Sequence, residues 1–117
     1  MTVADLMLRE PKTLAGDASV AQVREQLANP KVQLVLLADG RVFKGAVTSL
    51  PAEAAPTESA LAYAEQDPET IPPDASDEEA FARATASPNR RVIVLDDERN
   101  LLGLLCLNQS RTGFCRA

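Results

Sequence analysis

Apolar positions along the chain follow two rhythms, and the pair of rhythms occurs twice. Val3, Leu6 and Met7 are spaced as one face of a short helix, which Pro11 stops. Lys12–Leu14 reads as a brief extended segment. Val20, Val23 and Leu27 line one face of a second helix. Its start is marked by Ser19 and Gln22, a spacing at which each side chain satisfies a free N–H of the other residue's backbone. Asn29–Pro30 ends it. Val32–Leu37 is an apolar run of strand length, Asp39–Gly40 signals a turn, and Arg41–Thr48 resumes an extended pattern, which together predict an antiparallel hairpin.

After a proline-bounded connector, Pro51–Pro56, the pattern begins again. Thr57–Ser59 can cap a helix bearing Leu61 and Tyr63, broken by Pro68. Thr70–Ile71 is a short strand, and Ser76 with Glu79 repeats the capping spacing. Phe81 and Ala84 are expected to face inward from the helix that follows. Arg91–Leu95 and Leu101–Leu107 predict a second hairpin around a turn at residues 97–100. The last ten residues, with Arg111 and Arg116, read as a short helix or a frayed tail.

The recurrence reaches residue identity. Pro11, Thr13, Asp17, Ala18 and Ser19 return as Pro68, Thr70, Asp74, Ala75 and Ser76, 57 positions on. Asn29–Pro30 answers Ser87–Pro88, Leu34–Leu37 answers Val92–Leu95, and Gly45 answers Gly103, now at a spacing of 58. One extra residue is thus expected in the second copy before its hairpin. Ordered recurrence of this length predicts two copies of one small α+β unit, residues 1–52 and 53–117, stacked to share a core, with clefts between them as the natural place for a ligand. Gly45 and Gly103 are expected to mark a close approach or a bulge.

Composition narrows the chemistry. The chain has 117 residues, 45% of them hydrophobic but only 3% aromatic, so its core must be aliphatic. A net charge of -5 argues against nonspecific nucleic-acid binding. No segment approaches the roughly 20 apolar residues that cross a bilayer, and the opening residues lack the regions of a secretion signal, so no membrane association and a cytoplasmic location are expected. Cys106 and Cys115 fit no metal spacing and are expected as reduced thiols, one on a strand and one in the tail. The absence of His removes the usual general base and commonest metal ligand. Asp74, Asp77, Glu78 and Glu79 gather where a helix start favours negative charge. No nucleophile and base pair can be assembled, and no enzyme is expected.

The whole chain resembles a tandem pair of cystathionine-β-synthase (CBS) domains, a Bateman module. Thr2–Met7 followed by Arg9–Leu14 looks like the family's opening phrase, Asp17–Val20 its helix start, and Asp39–Val42 with Gly45–Thr48 its strand-turn-strand ending. The resemblance implies two pseudo-twofold related β-α-β-β-α units packed as a pair and commonly dimerised again. It also implies a regulatory module that senses adenosine nucleotides such as AMP or ATP, or S-adenosylmethionine, and signals to a separate enzyme or transporter.

By the same resemblance, adenine would sit near Thr13–Leu14 and Thr70–Ile71, and Thr48 with Ser49 would meet phosphate. A carboxylate three residues beyond Thr48 would hold the ribose hydroxyls. Here that position is Pro51. In the second copy the threonine position is Cys106 and the carboxylate position is Gln109. Asn108 or Gln109 can hydrogen-bond a ribose without charge assistance, and Arg91, with Arg90, either meets phosphate at the cleft mouth or is a solvated pair ahead of a strand. Thr13, Thr48 and Thr70 read equally as ordinary β-branched strand residues. Two functions follow: a sensing module that requires no cofactor but binds an adenosyl ligand, or a dimerisation and protein-interaction module whose nucleotide sites have degenerated. In either, a homodimer is expected, with the helices bearing Leu6, Met7, Leu61 and Tyr63 as its contact faces.

Overall fold

The computed structural model describes residues 1–65 and 68–115; Asp67 of the repeat and Arg116 of the tail lie outside the described residues. The elements follow the order α1 (Val3–Leu6), β1 (Leu8–Arg9), β2 (Thr13–Leu14), α2 (Val20–Leu27), β3 (Val35–Asp39), β4 (Val42–Val47), a 3-10 turn (Ala60–Tyr63), β5 (Thr70–Ile71), α3 (Asp77–Ala86), β6 (Arg91–Leu95) and β7 (Leu101–Cys106). The mixed α+β class expected from the alternating rhythms is the class observed.

The compact units divide differently from the 1–52 and 53–117 repeat copies. Unit one combines Met1–Pro11 with the chain from Glu69 onward, and unit two is Lys12–Pro68. The cause is a reciprocal exchange of leading segments. Val3 N–H donates to the Ala75 carbonyl at 2.9 Å, whereas Ala60 N–H donates to the Ala18 carbonyl at 2.9 Å. These are the same bond, displaced by one repeat, and in each case the leader of one copy docks at the helix start of the other.

In unit two the sheet order is β2-β3-β4, with β2 parallel and β4 antiparallel to β3. In unit one it is β1-β7-β6-β5, with β5 parallel to β6 and β7 antiparallel to it. Thr13 pairs with Leu36 as Thr70 pairs with Ile93, and Leu36 pairs with Ala46 as Ile93 pairs with Leu104. The spacing therefore remains 57 through β6 and reaches 58 only in β7. The extra residue lies in the turn of the second hairpin, not ahead of it. Five residues, 96–100, separate the paired Leu95 and Leu101, against four, 39–42, between Ala38 and Phe43. The Asp96 carboxylate organises the longer turn by accepting from the N–H groups of Glu98 and Asn100 at 2.9 and 2.8 Å.

Each unit has its own aliphatic core. Val23, Val35, Leu37, Val47 and Ala60 fill that of unit two; Val3, Ile71, Ala80, Ala84, Val92, Val94, Leu105 and Leu107 fill that of unit one. Helix α2 begins as expected, since Gln22 N–H donates to Ser19 Oγ and the Gln22 side chain accepts from Ser19 N–H at 2.9 Å. Helix α3 keeps half of that device. Glu79 N–H donates to Ser76 Oγ, but the Glu79 carboxylate turns away to Arg83 at 3.0 Å. Phe81 does not face inward: it is 42% exposed, and Ala80 and Ala84, one helical turn apart, take the core positions.

Of the residues expected to face a second copy, Leu6, Met7, Leu61 and Tyr63 are half-buried. Leu6 and Met7 pack on the core of unit one and Leu61 on that of unit two. Tyr63, the only tyrosine, donates its hydroxyl to Glu58 Oε2. That hydrogen bond, ahead of burial, raises its pKa because it holds the protonated form. A raised native pKa means stability that is complete below the unfolded pKa and lost as pH climbs through the native one. Absorbance titration of this lone chromophore is expected to give a midpoint above that of free tyrosine, and Glu58→Gln to bring it down. An unchanged midpoint in the variant would exclude Glu58 as the cause.

Candidate functional site

The register places the expected site residues at one end of each sheet. In unit two, Thr13 stands in the row of Leu36 and Ala46 near the start of β2, and Thr48 follows Val47, the partner of Val35, at the end of β4. Thr13, Thr48 and Ser49 are exposed, and Leu14 is half-buried against the core. Strands sit about 4.8 Å apart, so two strands' width separates Thr13 from Thr48. This end offers three hydroxyls and no carboxylate from the anchor position, which is Pro51.

In unit one the matching end carries Thr70, Arg91 and Cys106. Thr70 is aligned with Ile93, and Arg91 pairs with Cys106. The Thr70 carbonyl is occupied by Arg83 Nη1 at 2.9 Å. Ile71 is only 1% exposed and belongs to the core, so its side chain offers no surface. Asn108 is spent on its own turn: its Oδ1 accepts from Thr112 N–H at 3.0 Å and Ser110 Oγ at 3.2 Å. Gln109 is exposed.

Arg90 and Arg91 are the most unusual feature of that end. Arg90 adopts φ 58°, in the left-handed region. Its N–H···O partners are the Ser87 and Leu107 carbonyls, the latter through Nε at 3.3 Å. Arg91 Nη1 donates to the carbonyl of Asn89 at 3.2 Å. Buried Ser87 braces the strand start by donating to Asn89 Oδ1 at 2.7 Å and the Arg91 carbonyl at 3.0 Å. Among the described residues no carboxylate forms an ion pair with either guanidinium. Burial, followed by the charge of Arg90, lowers the pKa of Arg91. Two adjacent cations bonded only to carbonyls leave positive charge that an anion can neutralise.

Two features had not been foreseen. Cys106 and Cys115 form a disulfide, so the expectation of reduced thiols is overturned. The segment after β7 doubles back, pairs Leu107 with Phe114, and brings the two Cα atoms to 5.2 Å, within bridging distance. Neither cysteine spacing nor polarity signalled that return. The other feature is a cavity of about 620 Å³ within unit one, walled by Asp5, Leu6, Met7 and Arg9 on one side and Phe114 and Cys115 on the other. Asp5 has a lowered pKa because it accepts from the Thr2 backbone N–H and hydroxyl. The described residues contain no cluster of three or more metal-ligating side chains, and no helix among them is long and apolar enough to cross a membrane.

Neither protein-family models nor curated proteins match the chain. Solved structures do. The CBS-pair protein CBSX2 from Arabidopsis thaliana aligns at a TM-score of 0.74 and 18% identity, over 90% of this chain and 87% of that one. The CBS-pair domain of a putative Mg2+ transporter from Shewanella oneidensis aligns at 0.79 and 17%, over 95% and 67%. The chain has the fold of a tandem CBS-domain pair. CBSX2 has also been solved in complex with AMP, and that structure aligns at 0.73 and 19% identity over 94% and 91%. Thr48, expected to meet phosphate in the first copy, is exposed after β4. Cys106, at the matching position of the second copy, has its sulfur committed to the disulfide and no proton to donate.

Proposed function

We propose that this CBS pair is a regulatory module that senses a small adenosine-containing anion and does not catalyse its turnover. The observation that carries the reading is the Arg90–Arg91 pair, which lacks a carboxylate partner among the described residues and stands at the sheet end where the resemblance places phosphate. The AMP complex of CBSX2 supports adenosine monophosphate as the first compound to test. Pro51 and Gln109 stand in place of the ribose carboxylates, and the loss of a charged hydrogen bond costs about 1.5–3 kcal/mol, roughly tenfold to hundredfold in affinity. Weak binding, carried mainly by phosphate, is therefore expected.

Calorimetric titration with AMP, ATP and S-adenosylmethionine tests this reading. ATP is expected to bind more tightly than AMP, and S-adenosylmethionine, without phosphate, least tightly. Arg90→Ala with Arg91→Ala is expected to weaken ATP at least tenfold, since two charge-assisted contacts are lost. Absence of both heat and thermal shift at millimolar ligand would retire sensing, because even weak binding raises the melting point. The second reading, a ligand-free dimerisation module, is favoured by the same Pro51 and Gln109. In either reading the module acts as a homodimer beside a separate enzyme or transporter. Light scattering at micromolar concentration that gave only the monomer mass would remove the homodimer.

A further inference from the structure

We propose that the Cys106–Cys115 disulfide is a redox-operated latch on the segment Asn108–Phe114, closed when oxidised and released by a dithiol reductant. The inference rests on what else holds that segment, and is independent of nucleotide binding. Most of its hydrogen bonds are internal. Asn108 N–H donates to the Gly113 carbonyl at 2.9 Å, Arg111 N–H to the Asn108 carbonyl at 3.0 Å, and the Asn108, Ser110 and Thr112 side chains bond one another. Such bonds are available to a free turn and do not tie it to the sheet. The outward attachments are few: Arg111 Nη1 to the Thr85 carbonyl at 2.6 Å, half-buried Phe114 packed on the core of unit one and edge-on against Phe81 at 6.4 Å, and pairing beside the disulfide itself. The exposed Arg111 hydrogen bond competes with water and holds weakly, which leaves one partly buried ring, Phe114, as the main apolar anchor besides the disulfide.

The two sulfurs are placed unequally. Cys106 ends β7 and is 5% exposed, while Cys115 is half-buried and lines the cavity facing Asp5, Leu6 and Met7. An incoming thiolate therefore reaches Cys115 Sγ first. It forms a mixed disulfide there and expels the Cys106 thiolate, which takes up a proton. The reductant's second thiolate attacks its own sulfur in the mixed disulfide and releases Cys115 as a thiol. Two electrons and two protons pass to the protein, and the dithiol leaves as its own disulfide. Release of the segment carries Gly113, Phe114 and Cys115 away from the cavity, and opens it to solvent along that wall.

Hydrogen exchange on the full chain tests the latch, with dithiothreitol as the reductant and diamide as the oxidant. Reduction is expected to speed exchange at residues 108–115 at least tenfold while Val92, Val94 and Leu105 stay protected, and diamide is expected to restore the slow rates. Trypsin is expected to cut after Arg111 at least tenfold faster in the reduced protein. Cys115→Ser should behave as the reduced protein without reductant and should not respond to it, since the chain has only 2 cysteines. Equal exchange in both redox states would overturn the latch. So would loss of protection throughout β6, β7 and α3, which would make the bond a structural staple, or two free thiols persisting after diamide.

Discussion

Gly103→Ala is expected to lower the urea midpoint of unfolding further than the same change at Gly45 or Gly40. A Cβ on Gly103 would stand 2.5 Å from Met7 Sδ and 2.7 Å from the Leu8 carbonyl oxygen. The methionine can swing aside. The carbonyl cannot, because β1 is held in register by Leu8 opposite Leu104 and Arg9 opposite Gly103. Relief requires lifting β1 from the sheet edge, at the upper end of overpacking costs, about 3 kcal/mol. At Gly45 the new atom meets Ala64 Cβ at 2.8 Å and the Glu65 carbonyl at 3.3 Å, an easier clash with backbone. At Gly40 nothing lies within 4 Å, and only the positive φ of 61° is strained, about 1 kcal/mol. A Gly103→Ala midpoint above that of Gly40→Ala would show that β1 yields freely. The double change with Met7→Ala should recover only part of the loss.

Leu105→Ala is the second large effect. Leu105 is fully buried in the core of unit one and pairs with Val92 across the hairpin. Truncation removes three carbons and leaves a cavity that rigid strands collapse poorly, a loss of about 3 kcal/mol. For a chain of this size that corresponds to a fall in Tm of roughly 12 °C. Val47 holds the equivalent position in unit two, paired with Val35, and is equally buried. Val47→Ala removes two carbons and is expected to cost less. Scanning calorimetry on both variants checks the order; a larger fall for Val47→Ala would mean that unit two, not unit one, limits stability.

Much of the fold was legible because its signals are local. Ser19 and Gln22 cap α2 by a spacing that any sequence would show, and the turn residues at Asp39–Gly40 mark the hairpin between β3 and β4. Gly45 and Gly103 were legible as close approaches, although not what approaches them: Ala64 and Glu65 at one, Met7 and Leu8 at the other. Phe81 misled because helical periodicity does not say which of two adjacent stripes faces the sheet, and Ala80 with Ala84 lets α3 lie closer. The extra residue was assigned ahead of the second hairpin because apolar strand residues match one another at either offset. The strand pairing, Thr70 with Ile93 and Ile71 with Val94, distinguishes the offsets. Among the candidate site residues, Thr13, Thr48, Ser49 and Gln109 are exposed as a ligand contact requires, whereas Ile71 is consumed by the core and Asn108 by its turn.

The amino-acid sequence alone determined that one folding pattern is written twice, with aliphatic hairpins, capped helices and an arginine pair before the last hairpin. Those features depend on neighbours within a turn or two of the chain. Only the tertiary structure decided that the copies trade leading segments, that Cys106 meets Cys115, and that Arg90 and Arg91 have no carboxylate beside them among the described residues. Each of those depends on which distant segment packs against a strand. Side-chain volume and hydrogen-bond demand settle that choice in three dimensions, where order along the chain carries no weight.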